Sequence, residues 1–152
     1  MLFFGIVAFP ADTWAETFTV GSLNYETNAD GDNTVTVTGH VGDTNPTGTL
    51  TIPGNVDYGG ITYTVTQIGE GAFSSCIGFT GSLTIGTSVE TIGNNAFDSC
   101  IGLTGSLTIP NSVKTIGANA SVSAQATITV IDDSIDVSTT PVDQSTADAR
   151  DM

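Results

Sequence analysis

The stretch Gly81-Ser82-Leu83-Thr84-Ile85 decides the fold, because it returns 24 residues later as Gly105-Ser106-Leu107-Thr108-Ile109. The match extends beyond this stretch, so that Ala72-Phe73 returns as Ala96-Phe97 at the same spacing. A fixed period of this length is the signature of a repeat protein, in which each unit buries its apolar face against the next unit. The repeat therefore predicts a solenoid.

An earlier unit begins at Leu50 and carries nine extra residues before it rejoins the pattern at Ile68. The insertion contains Gly59-Gly60 between β-forming residues, which is typical of a tight hairpin turn. We therefore predict a β-hairpin that interrupts the first coil.

Each repeat unit divides into a strand, a turn and a short helix. Leu83 and Ile85 alternate with Thr84, as a strand with one buried face requires, whereas the apolar residues between Ala96 and Leu103 recur at helical spacing. We predict a mainly β fold with short helices, an α/β solenoid of 24-residue coils, which is right-handed because parallel crossovers almost always take that hand. The positions predicted to form its core are Leu83, Ile85, Val89, Ile92, Phe97, Cys100 and Leu103.

An N-terminal β cap is predicted ahead of the repeats. Phe18 to Tyr25 and Thr34 to Val37 read as two strands, and a hairpin here would seal the open edge of the first coil. Their linker, Asn28 to Asn33, is rich in the oxygen ligands that calcium prefers, but it lacks the distal Glu and the full spacing of a calcium loop. We favour the interpretation that this linker is a turn in which Asn and Asp bond their own backbone, and we predict no metal site.

The first fifteen residues have the character of a secretory signal. The apolar run from Leu2 to Phe9 is followed by Thr13-Trp14-Ala15, which suits cleavage before Glu16. A buried N-terminal strand is the alternative, because no Lys or Arg precedes the apolar run. No other apolar stretch is long enough to cross a membrane, so we expect a secreted or cell-surface chain without a membrane span after cleavage.

The chain therefore divides into five predicted segments. They are a signal peptide with a short first region at 1–15, a β cap at 16–48, two full coils and a partial third at 49–120, a capping strand at 121–131, and an acidic, disordered tail at 132–152. The third coil is called partial because Ser121 and Ala124 stand where Phe97 and Cys100 would recur. An open coil after Ala120 predicts self-association, since unpaired strand edges attract other strands.

These repeats resemble the BspA-like leucine-rich repeats of bacterial surface proteins, whose units read approximately Leu-x-Ile-Pro-x-Ser-Val-x-x-Ile-Gly-x-x-Ala-Phe-x-x-Cys-x-x-Leu. Residues 107–117 and 83–103 match this pattern, and the resemblance covers about residues 49–120. It implies a leucine-rich-repeat solenoid and a role in adhesion to host proteins, host cells or other bacteria. It brings no catalytic motif with it.

Charge and residue usage exclude several classes of function. Lys114 and Arg150 are the only cations beside sixteen carboxylates, and a net charge of -14 argues against nucleic acid as a partner. His40 is the single imidazole, and no nucleophile with a base and an orienting group can be assembled around it. A glycosidase pair of Glu70 and Glu90 is not supported either, because the equivalent positions in other coils do not carry carboxylates. We expect no enzyme and no cofactor.

Cys76 and Cys100 are the only cysteines, and an even pair in an exported protein invites a disulfide. Because they lie one period apart, their Cβ atoms should stack at about 4.8 Å, beyond the ~3.5–4.5 Å that a disulfide prefers. We therefore expect two buried thiols and no disulfide between them.

The outward residues of the strands form the candidate binding surface. Thr51, Thr84 and Thr108 are expected to line up as a ladder, with Glu90 and Lys114 on the second short segment of the coil. Such a face suits a noncatalytic module that binds an extracellular protein or a component of a host or bacterial surface. The alternative is a structural spacer, or a fragment of a longer repeat adhesin, with no binding role of its own.

Overall fold

The computed structural model describes residues 15–29, 31–42 and 46–120 in full, and the backbone of 127–130. The predicted signal segment up to residue 14 and the predicted acidic tail at 132–152 lie outside the described residues. Eleven strands and no helix occur in the described part of the chain. The strands are β1 (Thr17–Val20), β2 (Leu23–Thr27), β3 (Thr34–His40), β4 (Gly48–Ile52), β5 (Asn55–Tyr58), β6 (Ile61–Ile68), β7 (Phe79–Ile85), β8 (Thr91–Ile92), β9 (Ser106–Ile109), β10 (Thr115–Ile116) and β11 (Thr127–Val130).

The strands form two sheets whose repeat strands run parallel, which confirms the predicted repeat solenoid. The front sheet has the order β4-β7-β9-β11. The back sheet has the order β1-β2-β3-β6-β8-β10, and its seventh strand, β5, pairs with β6 outside this order. In the front sheet Leu83 pairs with Leu107, and in the back sheet Ile92 pairs with Ile116. Equivalent residues of successive coils therefore lie over one another, as the 24-residue period predicts. The right-handed sense of the coil stays a prediction.

A single apolar core fills the space between the sheets. The alternating strand residues Leu83 and Ile85 are buried, while Thr84 between them is exposed. The corner residue Val89 and the turn residue Phe97 close the same core from two further sides. No charged side chain is buried among the described residues. The coils are thus held together by columns of like apolar residues, which no coil could bury alone.

The predicted short helices are wrong: residues 93–103 form a series of tight turns. Asp98 N donates to Asn95 O and Cys100 N to Phe97 O, both over three residues. Asn95 and Ser99 have positive φ angles of 53° and 61°, which a right-handed helix cannot contain. Turns of this length place apolar side chains three or four residues apart, so their spacing imitates that of a helix.

Hydrogen bonds between coils stabilise these turns. Phe73 N donates to Ala96 O and Ser75 N to Asp98 O, both at 2.8 Å. A helix would satisfy these backbone groups within its own segment. Here the neighbouring coil satisfies them, so the turn side of the solenoid is held by a ladder of its own.

The N-terminal cap contains three strands where the sequence predicts two. The segment predicted as one strand from Phe18 to Tyr25 is a hairpin, in which β1 and β2 turn at Gly21-Ser22. The third strand, β3, pairs antiparallel with β2 and parallel with β6, which joins the cap to the first coil. The Asn28 side chain bonds the hydroxyls of Thr34, Thr36 and Thr66. These bonds tie the start of the β2–β3 connection to the neighbouring strands.

The hairpin predicted at Gly59-Gly60 is confirmed. β5 and β6 pair antiparallel with Tyr58 opposite Ile61, and both glycines have positive φ angles, 61° and 83°. This is the geometry of a two-residue turn that matches the twist of its strands. The hairpin is an insertion in the first coil, and β6 continues beyond it to pair with β3 and β8.

The front sheet continues past Ala120. β11 lies parallel to β9, with Thr127 opposite Ser106 and Val130 opposite Ile109. β11 lies within the segment 121–131 that the sequence predicts as a capping strand, and it is the part of that segment that the structure describes. Among the described residues no helix is long and apolar enough to cross a membrane.

Candidate interaction surfaces

The front sheet presents an ordered hydroxyl face to solvent. Thr51 pairs with Thr84, and Thr84 pairs with Thr108, so the three exposed threonines lie side by side across β4, β7 and β9. Pairing in register sets neighbouring rungs about 4.8 Å apart. In β11 the backbone of Thr129 lies opposite Thr108. The structure thus brings together the three threonines that the sequence assigns to a ladder.

A second column of hydroxyl residues runs beside the threonine ladder and was not predicted. Thr49, Ser82 and Ser106 are exposed, and each lies two residues before a ladder threonine. Residues two apart on a strand point to the same face. In each strand a Thr or Ser, a Leu and a Thr follow one another, and this pattern could have predicted the second column from the sequence. The outward side chains in these columns carry no charge, although the chain is strongly acidic overall.

Glu90 and Lys114 lie around the corner from this face. Their side chains form an ion pair of 3.0 Å and are both largely exposed. Lys114 N donates to Glu90 O at the start of the back-sheet strands, so the two residues belong to adjacent coils. An exposed pair of this kind stabilises a protein by less than about 1 kcal/mol. The two residues are accessible to a partner, but they do not extend the threonine ladder.

The tip of the β5–β6 hairpin is a third exposed surface, and it was not predicted as a candidate site. Tyr58 and Ile61 lie opposite each other and keep 38% and 42% of their surface accessible. The ring of Tyr58 stacks on the buried Phe18 of β1, with centroids 4.2 Å apart and planes at 6°. Phe18 also packs against Tyr63, at 5.2 Å. The nine-residue insertion with an aromatic residue beside Gly59-Gly60 was the signal in the sequence.

His40 lies at the end of β3 with its ring edge toward Phe79, the centroids 5.6 Å apart. Its Nδ1 atom is buried and has no hydrogen-bond partner among the described residues. Glu70 and Glu90 are both exposed. Over residues 15–29, 31–42 and 46–120, no group of three or more His, Cys, Asp or Glu side chains is placed to hold a metal ion.

Cys76 and Cys100 are buried free thiols in adjacent coils. Cys100 Sγ donates to Phe73 O at 2.8 Å, a contact that ties the turns of two coils together. Burial, with a smaller contribution from Cys76, raises the pKa of Cys100 to about 12. Burial also raises the pKa of Cys76. Thiols held in this form pack as small apolar groups and are poor nucleophiles.

Comparison with known proteins agrees with this architecture. The family model described as "BspA type Leucine rich repeat region (6 copies)" matches residues 55–138, more than half of the chain. A comparison with curated proteins found no significant match.

Two solved structures are similar to the chain. A leucine rich cell surface protein from Faecalibacterium prausnitzii A2-165 is 33% identical over 79% of this chain, with a TM-score of 0.63. A leucine-rich repeat protein from Bacteroides capillosus ATCC 29799 is 26% identical over 76% of this chain, with a TM-score of 0.52. This chain spans 31% of the first protein and 99% of the second. The stacked coils, the matched repeats and these neighbours together show that the chain belongs to the BspA-type leucine-rich repeat family.

Proposed function

We propose that this chain is a noncatalytic binding module of a secreted or cell-surface protein, and that it holds an extracellular protein or a component of a host or bacterial surface. The observation that carries the proposal is the register of the front sheet, which arranges Thr51, Thr84 and Thr108 as one exposed row. Support for a place at the cell surface comes from the Faecalibacterium relative, which is described as a cell surface protein.

The physical advantage of the front sheet is preorganisation. Each of its strands is hydrogen-bonded to its neighbours, and the apolar core beneath holds the strands in place. A partner that binds such a face orders few groups, so less of the interaction free energy is lost to entropy. Hydroxyl groups both donate and accept hydrogen bonds, which suits the polar surface of a protein. Its outward columns hold no carboxylate and no imidazole, so the proposal assigns them binding and no reaction.

A capture experiment tests the proposed function. The chain is immobilised beside an unrelated protein of similar acidic charge, and both are exposed to extracellular-matrix proteins and to bacterial surface extracts. We expect a partner that this chain retains and the acidic control does not. Absence of any partner above the control would remove the support for adhesion.

Matched variants then locate the binding face. Thr84→Arg places a long cation in the middle of the ladder, and Thr87→Arg places the same side chain at an exposed position outside the strands. We expect the first to weaken binding of the captured partner at least about tenfold, and the second to leave it unchanged. Equal binding by both variants would move the site away from the front sheet.

A structural spacer is the second candidate function. It is favoured by the fact that the chain spans only 31% of the Faecalibacterium protein, so the matching part is one piece of a longer protein. A spacer predicts that Thr84→Arg changes no binding even when it is introduced into a longer protein that contains these coils. Loss of binding in that longer protein would contradict the spacer.

A further inference from the structure

The turn of the β5–β6 hairpin is exposed to solvent. Asp57 to Thr62 are all exposed, and a Cβ atom placed on Gly59 or Gly60 would have no heavy atom of another part of the chain within 4 Å. Nine residues are inserted into the first coil to build this hairpin. A repeat needs no such insertion to stack, so stacking does not explain the apolar pair Tyr58 and Ile61 at the tip.

One member of the apolar pair, Tyr58, is supported by an aromatic contact from the core. Tyr58 and Ile61 lie on the same side of the hairpin as Val56 and Tyr63, which are buried. The Tyr58 ring rests flat on Phe18, so one of its faces is supported by the core while part of its surface meets solvent. An aromatic side chain fixed in this way loses little entropy when a partner covers it, and such residues carry much of the energy of protein interfaces.

The charge around the tip is negative. Asp57 lies beside Tyr58, on the opposite face of the hairpin, where it accepts a hydrogen bond from Thr62 at 2.5 Å. Glu16 directly precedes β1, whose Phe18 contacts Tyr58 and Tyr63; burial raises the pKa of Tyr63, and the charge of Glu16 raises it further. Lys114 is the single Lys or Arg among residues 15–29, 31–42 and 46–120, and it pairs with Glu90. The described surface near the tip therefore has a negative charge that favours a cationic partner.

We propose that the tip formed by Asp57, Tyr58 and Ile61, with Glu16 beside it, anchors a basic segment of the partner protein that also carries an apolar side chain. The apolar side chain packs on Tyr58 and Ile61, and a Lys or Arg of the same segment meets Asp57 or Glu16. Charge complementarity speeds the encounter, and the apolar contact slows dissociation. This inference rests on the proposed function of protein binding, and it names the kind of partner and a second contact surface.

Selection from a random peptide library displayed on phage tests the proposal, with the immobilised full chain as the target. We expect the enriched peptides to combine Lys or Arg with Leu, Ile, Phe, Tyr or Trp. Binding of a synthetic enriched peptide is then measured with a biosensor. We expect Kd to rise about thirtyfold in Ile61→Ser, as for a hot-spot residue, and to rise with salt concentration.

Matched controls separate the site from general effects. Ile101→Ser makes the same change at an exposed isoleucine on the turn side of the solenoid and should leave Kd unchanged. Asp57→Asn should reduce the association rate, while Glu70→Gln, at an exposed position in another loop, should not. Ile61→Ser removes no atom of the Phe18–Tyr58 stack, and thermal unfolding followed by circular dichroism verifies that each variant is folded.

The outcomes distinguish this proposal from the proposed function. Enriched peptides that bind Ile61→Ser and the wild type equally would overturn the hairpin anchor and leave adhesion by the front sheet intact. Enrichment of acidic or uncharged peptides would overturn the basic character of the partner. A chain that captures a surface protein but selects no peptide would also overturn the anchor. A change of oligomeric state in Ile61→Ser, seen by light scattering, would identify a second copy of this chain as the occupant.

Discussion

At the scale of single residues, the coils are stabilised because equivalent side chains of adjacent coils pack against each other. Phe73 and Phe97 lie one period apart, and their rings stack with centroids 5.5 Å apart and planes at 5°. Both are fully buried. Each ring completes the packing of the other, so the stability of two coils depends on this one position.

Removal of one of these rings should be costly. We expect Phe97→Ala to lower the free energy of unfolding by about 3–5 kcal/mol, because it leaves a cavity next to Phe73. Ile101→Ala, at an exposed position of the same turn segment, should change it by less than about 0.5 kcal/mol. Urea denaturation of the two variants measures both values. Equal stabilities would show that the ring column does not support the solenoid.

The thiol of Cys100 makes stability depend on pH in the alkaline range. Its pKa is about 12 in the folded protein, against 9.0 without perturbation, so the folded chain holds this proton more tightly than the unfolded chain. The stabilisation is complete below about pH 9 and is lost as pH rises toward 12, because only the unfolded chain ionises in that range. We expect the urea midpoint to fall more steeply between pH 9 and 12 in the wild type than in Cys100→Ala. If the urea midpoints of the wild type and Cys100→Ala fell in parallel over this pH range, the contribution of the Cys100 thiol would be contradicted.

At the scale of elements, the turn segments depend on glycine for two different reasons. Gly71 has a φ of 61°, and the residues one and two periods later, Asn95 and Asn119, have 53°. Gly71 therefore supplies a left-handed conformation that Asn also adopts. Gly93 has no positive φ, but a Cβ on it would lie 2.7 Å from Glu70 N of the preceding coil. That glycine allows two coils to approach closely.

Two substitutions separate these roles. We expect Gly71→Asn to keep the stability or to raise it by up to about 1 kcal/mol, because Asn restricts the unfolded chain and fits the native angle. We expect Gly93→Ala to lower it by about 1–3 kcal/mol, because the coils must move apart. Thermal and urea unfolding provide the comparison. A larger loss of stability in Gly71→Asn than in Gly93→Ala would contradict the roles assigned to the two glycines.

At the scale of the whole molecule, stability depends on how the ends of the stack are covered. β3 covers the first coil through its parallel pairing with β6, and β11 covers β9 in the front sheet. A repeat strand without such a neighbour exposes a row of unpaired backbone groups. The self-association predicted for an open terminal coil should therefore be strongest when β11 is removed.

Deletion of residues 127–130 tests this cover. We expect a lower melting temperature and a concentration-dependent increase in mass by light scattering, because the edge of β9 becomes available to other chains. Deletion of four residues at 145–148 is the matched control and should change neither value. A variant without β11 that remains monomeric at the wild-type melting temperature would show that this strand does not protect the front sheet.

The sequence predicted the elements that local pattern controls, and it failed where two backbone conformations share one pattern. Leu83 and Ile85 read correctly as a strand, and Gly59-Gly60 correctly as a turn, since alternation and paired glycines each have one common structural cause. The apolar residues between Ala96 and Leu103 read wrongly as a helix, because successive turns space side chains in the same way. The positive φ of Asn95 and Ser99 and the hydrogen bonds to the neighbouring coil distinguish the two conformations.

The sequence by itself determined that this chain is a stack of 24-residue coils, since the repeat dictates which residues must lie over one another. It also determined the threonine ladder, which follows from the register of the repeat. The tertiary structure alone decided that Tyr58 and Ile61 form a supported apolar tip. That surface depends on the stacking of Tyr58 on Phe18, forty residues earlier in the chain, and a contact over this distance leaves no periodic trace in the sequence.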